Sequence, residues 1–167
     1  MRSITSIRAV RLAAALTAAL AIAACSKTPD PNAAGGLGGG GVGGAAVPGS
    51  QQDFVVNVGD RVFFETDSTD LTSQAQATLD KQSRWLGQYA RYTITIEGHA
   101  DERGTREYNF ALGAKRAEVT KNYLAARGVP ASRIRTISFG KERPVAVCND
   151  ISCWSQNRRA VTLLGGG

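Results

Sequence analysis

The sequence predicts an α/β (α+β) two-layer sandwich, in which helices pack on one face of a single mixed β-sheet. Short apolar runs with strand character alternate with long stretches of helical periodicity between residues 53 and 167. The resulting order is β-α-β-α-β, then a short helix and a last strand, which favours helices layered on a sheet. The 112 residues Asp53–Leu164 are enough to enclose one hydrophobic core.

The first strand, turn and helix occupy the start of this region. Arg61–Glu65 has the composition of a short strand, and the polar run Thr66–Asp70 indicates a turn. Apolar residues three and four apart predict a helix over Thr72–Tyr89. Ser73 and Gln76 would form a capping box at the start of this helix.

The remaining elements continue the alternation. Gly128 and Pro130 are typical signals for the end of a long helix. In chain order, the predicted elements are the strand Tyr92–Glu97, the helix Thr105–Arg127, the strand Ile134–Ser138, a short helix over Trp154–Arg159 and the strand Ala160–Leu164.

Residues 1–24 have the composition of a secretion signal. A basic leader precedes the apolar run Leu12–Ala24, which is too short to span the ~30 Å of a bilayer core. A short buried helix is the alternative.

Removing this segment takes three basic residues from the 20 present and no acid from the 14, so the net charge falls from +6 to +3. The remaining basic residues are interleaved with acids, which argues against nucleic-acid binding.

The sequence Ile22-Ala23-Ala24-Cys25 resembles the lipobox of bacterial lipoproteins. In such proteins the cysteine thiolate becomes a thioether to diacylglycerol, and the new amino terminus is acylated, for example with palmitate. An ordinary cleavage site beside a free cysteine is the alternative. Because Ser26 rather than aspartate follows Cys25, the resemblance implies the outer membrane.

Residues 25–52 are predicted to be a disordered tether that follows the lipidated cysteine. Nine glycines and three prolines within Ser26–Gln52 leave too little apolar surface to offset the entropy of ordering. A glycine-rich coil of this length has a root-mean-square span of roughly 30 Å. The alternative is a disordered segment without a function. Between a lipid anchor and a folded domain, however, the segment would be a flexible linker that lets the domain move away from its membrane.

Cys148 and Cys153 are predicted to form a disulfide, because a secreted chain enters an oxidising compartment. Half of a metal site is the alternative, although the sequence offers no second pair of ligands.

The stretch Gly98–Arg116 contains the candidate binding site. Asp101 follows a predicted strand, whereas Asn109, Leu112 and Arg116 share one face of the helix that comes next. A carboxylate can accept an ammonium group, and a guanidinium can hold a carboxylate in bidentate fashion. The spacing therefore predicts a groove for a small zwitterion. The alternative is an exposed Asp101–Arg116 ion pair, worth about 0–1 kcal/mol.

His99 is the only histidine of the chain and lies within the same stretch. It could act as a general base or, with Asp101, as a metal ligand. A metal needs further ligands, so we expect a neutral histidine that bonds the backbone of the turn. Gly98 and Gly104 would allow the two tight bends of that turn.

Several motifs, taken together, carry a resemblance to a known family. FETDSTDL, GHADERGTREYN, LGAKRA, ISFGKERP and NRRA occur in this order. They resemble the signature of the OmpA-like peptidoglycan-binding domain family, in its lipid-anchored form, across essentially all of Asp53–Leu164. The resemblance implies a β-α-β-α-β-β fold with helices on one mixed sheet, and a protein that is not an enzyme.

The resemblance also implies a ligand and partners. The resemblance implies that Asp101 and Arg116 hold the diaminopimelate of the peptidoglycan stem peptide. Asn109 and Leu112 match helix positions beside this pair, Thr66 and Asp67 match a turn whose backbone amides help to hold a carboxylate, and Arg158 matches a basic position near the site. The implied partners are peptidoglycan, TolB and other Tol proteins. The implied role is to anchor the outer membrane to the cell wall, with the domain facing the periplasm, and to support outer-membrane constriction during cell division.

Two other functions remain open from the residues alone. Carboxylates such as Asp67, Asp101 and Glu107 could serve a peptidoglycan hydrolase, but neither a nucleophile with its base nor a metal set accompanies them. A spacer of the outer membrane that binds only protein is the second alternative. Apart from covalent lipid on Cys25, no cofactor or metal is expected.

Overall fold

The fold is known from a computed structural model that describes residues 46–166. The predicted signal segment, the predicted lipidation site Cys25 and most of the predicted tether lie outside the described residues. The described part contains four α-helices and one four-stranded mixed sheet, which confirms the predicted sandwich.

The sheet has the strand order β1-β4-β2-β3. Strands β2 and β3 are parallel, whereas β4 is antiparallel to both β1 and β2. The sequence did not predict this order, because it depends on pairings between distant segments. The strands are β1 (Arg61–Phe63), β2 (Ile94–His99), β3 (Ile134–Gly140) and β4 (Arg159–Leu164).

The helices begin at polar caps. Thr72 accepts the backbone N–H of Ala75 at 3.2 Å, so Thr72 caps the second helix, and the predicted capping box of Ser73 with Gln76 is wrong. The helices are α1 (Gln51–Asp53), α2 (Ser73–Gln88), α3 (Arg106–Ala126) and α4 (Ile151–Asn157), with a π-helical turn over Phe54–Val58 and a 3-10 turn over Ala131–Arg133.

The folded domain begins before the predicted boundary at Asp53. Ser50 caps α1, and the carbonyl of Gly49 accepts hydrogen bonds from Arg91 at 2.9 Å and Tyr92 at 2.8 Å. Trp85 donates to the carboxylate of Asp53 at 2.8 Å. The chain is therefore held against the domain from Gly49 onwards, so the tether ends before the predicted boundary at Gln52. Glycine and proline, which suggested disorder, here form a turn before α1.

The hydrophobic core lies between the helices and one face of the sheet. Leu79, Leu86, Ile96 and Leu124 are completely buried there. The opposite face of the sheet carries the partly exposed side chains of Phe63, Ile137 and Leu163. None of the helices in residues 46–166 is long and apolar enough to cross a membrane.

Gly98 is needed for packing rather than for a turn. It lies inside β2, and a Cβ added to it would stand 1.8 Å from the carbonyl oxygen of Gly113 on α3. The expectation that Gly98 forms a bend is therefore wrong. Gly104 does form one, with a φ of 85°. The contact between the two glycines brings α3 directly onto the strand that ends at the candidate site.

The predicted disulfide joins Cys148 and Cys153, whose Cα atoms are 5.7 Å apart. Cys153 lies in α4, and the side chain of Asp150 caps this helix by accepting the N–H of Ser152 at 2.8 Å. The described residues contain no cluster of ligands that could hold a metal ion.

Substitution Gly98→Ala should lower the free energy of unfolding by about 1–3 kcal/mol or more, because two backbones must separate. Gly87→Ala is the matched control. Its new methyl group would have no neighbour within 4 Å, so it should change stability by less than about 1 kcal/mol and in the stabilising direction. Urea denaturation measures both, and equal stabilities would contradict the packing role of Gly98.

Candidate binding site

Arg116 is the central residue of the site and is completely buried. Its guanidinium donates three hydrogen bonds to backbone carbonyls. The acceptors are His99 at 2.8 Å, Ser68 at 3.0 Å and Glu65 at 3.2 Å. The ring of Phe64 lies 5.2 Å from the guanidinium carbon. Arg116 thus ties α3 both to the turn after β1 and to the end of β2.

Asp101 lies just beyond β2 and accepts hydrogen bonds from two other arginines. Arg103 binds it in bidentate fashion, with distances of 3.1 and 2.7 Å, and Nη1 of Arg158 lies 3.3 Å from Oδ2. Arg158 is itself buried and donates from Nε to the carbonyl of Phe64 at 3.0 Å. The structure therefore places Arg158 directly at the carboxylate.

The alternative of an exposed Asp101–Arg116 ion pair is wrong. Arg116 has no exposed surface, and only 7% of Asp101 is exposed. Within residues 46–166, the ion pairs of Asp101 are those with Arg103 and Arg158. The predicted two residues are therefore neighbours in one charged cluster, each with other partners.

The charges of this cluster are stable near neutral pH. Burial raises the pKa of the Asp101 carboxyl, but hydrogen bonds from Arg103 and Arg158 more than offset this and hold the pKa below its ordinary value. Burial and the nearby Arg158 lower the pKa of Arg116 to about 10, although Asp101 and Asp67 act in the opposite direction. The site therefore presents an ionised carboxylate among protonated guanidinium groups.

Arg103 and Trp154 cover Asp101 and were not predicted as site residues. The guanidinium carbon of Arg103 lies 4.2 Å from the centre of the Trp154 ring, a cation–π contact. The indole N–H of Trp154 donates to the carboxylate of Glu102. The consecutive residues Asp, Glu and Arg could have indicated Arg103 as a partner of Asp101. They could not show that Trp154 on α4 lies against Arg103.

Asn109 and Leu112 lie on the first turns of α3, as predicted. Asn109 is buried, and its side-chain amide donates to the carbonyls of Arg103 at 2.6 Å and Thr105 at 3.1 Å. It thereby fixes the turn that carries Asp101. Leu112 is half-buried on the same helix.

Thr66 and Asp67 lie exposed in the turn after β1. Asp67 has a positive φ of 56°, which is uncommon for a residue with a side chain. The hydroxyl of Tyr108 on α3 donates to the Asp67 carboxylate. This contact joins the turn to α3 beside Arg116, and Tyr108 is a further site residue that sequence reasoning missed.

His99 supports the site through its backbone. Its carbonyl accepts from Arg116, whereas neither ring nitrogen has a hydrogen-bond partner in the described chain. The predicted side-chain bond to the turn is therefore wrong. The ring stacks on Phe139, and Nε2 lies 3.5 Å from a carboxylate oxygen of Glu97. Burial, with Arg159 and Arg143 nearby, lowers the pKa of His99 to about 4.

Comparison with known proteins identifies relatives along nearly the whole chain. The model of the OmpA family matches residues 63–158. A peptidoglycan-associated lipoprotein of Rhizobium meliloti (strain 1021) is 69% identical, over 91% of this chain and 86% of that protein. One from Brucella melitensis biotype 1 is 62% identical, over 99% of this chain and 98% of that protein. The crystal structure of the peptidoglycan-associated lipoprotein from Burkholderia pseudomallei superposes with a TM-score of 0.65 at 37% identity, covering 70% of this chain and 100% of that one.

The chain therefore belongs to the OmpA family. Within it, the chain groups with the peptidoglycan-associated lipoproteins, which confirms the resemblance found in the sequence. These are non-enzymatic structural proteins, so the hydrolase alternative is wrong.

The buried neutral His99 should make stability depend on pH. Between pH 6.5 and about 4 the unfolded chain binds a proton that the folded chain does not, so stability falls as the pH decreases through this window. Substitution His99→Phe should flatten this part of the profile. Urea denaturation from pH 4 to 7 measures it, and an unchanged slope in the variant would exclude His99 as the cause. Asp101, whose pKa is lowered on folding, adds to the slope only towards the lower end of this window, and it does so equally in the unchanged chain and in the variant.

Proposed function

We propose that this chain binds peptidoglycan non-covalently through the charged cluster around Asp101, with diaminopimelate of the stem peptide as the bound group. Membership of the OmpA family and the names of the relatives support the polymer as ligand. The observation that carries the proposal is the ionised carboxylate of Asp101, fixed at the end of β2 and nearly buried. A carboxylate in this setting is suited to an ammonium group.

In this proposal, the charged groups of the ligand replace protein side chains that now contact the site residues. Its ammonium group takes the place of the Arg103 guanidinium, whose side chain is 41% exposed and can turn towards solvent. Arg158 is 5% exposed and stays in place beside Asp101. A ligand carboxylate is attracted to Arg116 once the Tyr108–Asp67 contact opens, because both residues lie beside that guanidinium.

Each contact between the domain and the ligand is weak, so attachment to the cell wall depends on how many copies bind at once. A hydrogen bond to a charged group contributes about 1.5–3 kcal/mol, part of which offsets the loss of Arg103 from Asp101. One stem peptide therefore binds modestly. Many copies confined to one membrane meet a repeating polymer, and avidity then holds the two layers together.

The proposed cellular role is that of an outer-membrane lipoprotein. Cys25 would carry the diacylglycerol and the N-acyl chain, and the segment before residue 46 would span the gap to the cell wall. The names of the relatives support a lipid-anchored envelope protein. We place the domain in the periplasm, in the Tol-Pal system, where it supports envelope integrity and constriction during division.

Substitution Asp101→Asn should weaken binding to purified sacculi roughly tenfold, since an amide no longer attracts an ammonium group. Co-sedimentation of the full chain in detergent measures this, and free diaminopimelate should compete with binding of the unchanged chain. Asp80→Asn on α2 is the control and should bind like the unchanged chain. Equal binding by Asp101→Asn and Asp80→Asn would refute Asp101 as the anchor.

Arg116→Ala should reduce sacculus binding and also lower stability by about 3 kcal/mol or more, because backbone carbonyls lose a buried donor. Arg158→Lys tests the cluster with less damage to the fold. Measuring unfolding beside sacculus binding separates the two effects. Full stability and full binding in both variants would contradict the proposed site.

Purified TolB should be retained by the immobilised full chain. The same Asp101→Asn variant then shows whether TolB and the wall share a site. No retention of TolB at any concentration that retains peptidoglycan fragments would contradict the Tol part of the proposal while leaving wall binding intact.

A further inference from the structure

The long open edge of the sheet lies away from the Asp101 cluster. Strand β3 stands at the end of the strand order and pairs with β2 alone in the described chain. It is seven residues long, from Ile134 to Gly140. Thr136 and Ile137 are exposed along it. A strand edge of this kind leaves backbone N–H and C=O groups available to another chain.

This edge lacks the usual protection against strand addition. Proteins commonly shield an edge with proline, with several charges or with a covering segment. β3 contains no proline, and Arg135 is its one charged residue. The register irregularity lies between Gly98 and His99 of β2, which pair with Ser138 and Gly140, so that Phe139 of β3 is the extra residue. Ile134–Ser138 therefore offers a regular edge.

A groove beside the edge provides room for side chains. One depression, of about 380 Å³, lies between α3 and β3, and Phe110 and Ile137 line it. A second one, of about 280 Å³, continues past Phe110 towards Phe139. Phe110 is 55% exposed although it is large and apolar, whereas the side chain of Ile137, 43% exposed, lies on the other face of the strand. Alternate residues of an added strand would point into this groove.

The charges around the groove favour an acidic occupant. Its two acids already have partners, Glu118 with Lys121 at 3.2 Å and Glu142 with Arg106 at 3.1 Å. Lys115 lines the groove and, within residues 46–166, has no acid within 4.0 Å. Lys141 lines the second depression and donates to backbone carbonyls at 2.6 and 3.1 Å rather than to a carboxylate.

We infer that the edge of β3, with the groove beside α3, binds an extended acidic peptide segment of a partner protein. The segment adds a strand to β3 through backbone hydrogen bonds and places an apolar side chain against Phe110. Its carboxylates meet Lys115 and Lys141. This surface shares no side chain with the Asp101 cluster, although Lys141 also donates to the carbonyls of Glu102 and Gly104 in the turn after Asp101. The inference does not use the proposed function.

The test uses the full chain in detergent and a fluorescein-labelled peptide as long as β3, seven residues. In this probe, positions 2, 4 and 6, which face one side of an extended strand, are glutamate, phenylalanine and glutamate, and the remaining positions are threonine. Fluorescence anisotropy should show saturable binding, and hydrogen exchange within Ile134–Gly140 should slow. A peptide with lysine for each glutamate, and one with proline inserted, should bind at least about tenfold more weakly.

Matched variants locate the binding. Phe110→Ser and Lys115→Glu should each weaken the acidic peptide about tenfold. Their controls, Val56→Ser and Lys81→Glu, each change an exposed residue of matching character elsewhere and should have no effect. Sacculus binding should be unchanged in all four variants, which shows that they fold and separates this result from the proposed function.

Several results would overturn the inference. They are the absence of saturable binding, equal binding of the lysine peptide, and full affinity in both Phe110→Ser and Lys115→Glu. A further one is self-association of the chain through β3, seen by sedimentation and abolished by Phe110→Ser, because the occupant would then be a second copy.

Discussion

The buried guanidinium of Arg116 is the interaction on which the rest of the site depends. Its hydrogen bonds to the carbonyls of Glu65, Ser68 and His99 join three segments that are far apart in sequence. Backbone carbonyls that lose such a donor inside a protein cost free energy of their own. Arg116 therefore fixes three segments relative to one another. They are the turn after β1, the end of β2 and the first half of α3. The contact of Gly98 with Gly113 makes this possible, because it brings α3 close enough for Arg116 to reach all three carbonyls.

Around this fixed centre, the more exposed groups can exchange partners. Asp101 is held by a buried arginine, Arg158, and by a largely exposed one, Arg103. The exposed arginine can be released at low cost because its charge returns to water, whereas moving Arg158 would leave buried groups unsatisfied. The disulfide and the cap of α4 position Trp154, which holds Arg103 over the carboxylate. The cluster thus combines a buried, fixed arginine, Arg158, with a more exposed arginine, Arg103, that can move. This arrangement suits the weak and reversible binding that we propose.

Local patterns in the sequence predicted the helices and strands. They could not predict the sheet order and the long-range contacts, which depend on residues far apart in the chain. Periodicity and helix-stop residues placed α2, α3 and β3 to within a few residues, because those signals are local. The sheet order, α1 and the packing of Gly49 escaped prediction, since they depend on partners such as Arg91 and Tyr92 over 40 residues away. At the site, Asp101 and Arg116 were found from motif and spacing. Of the two arginines that contact Asp101, Arg158 was named through the family resemblance alone and Arg103 was missed, because the sequence contains many arginines and does not indicate which one faces a given carboxylate.

Helix α3 contributes to two surfaces that point in different directions. Asn109 and Arg116 face the interior and hold the Asp101 cluster, whereas Phe110 and Lys115, each one residue away, face the groove beside β3. Successive helical residues point about 100° apart, so one helix can serve both surfaces without sharing a side chain between them. In the proposed binding mode, a ligand at Asp101 would exchange contacts of Arg103 and Tyr108, and neither residue lines the groove. Under the two proposals, the domain would bind the cell wall and an acidic segment through different side chains of α3. Lys141 would link the two surfaces, because it lies beside the groove and donates to the carbonyls of Glu102 and Gly104 in the turn after Asp101.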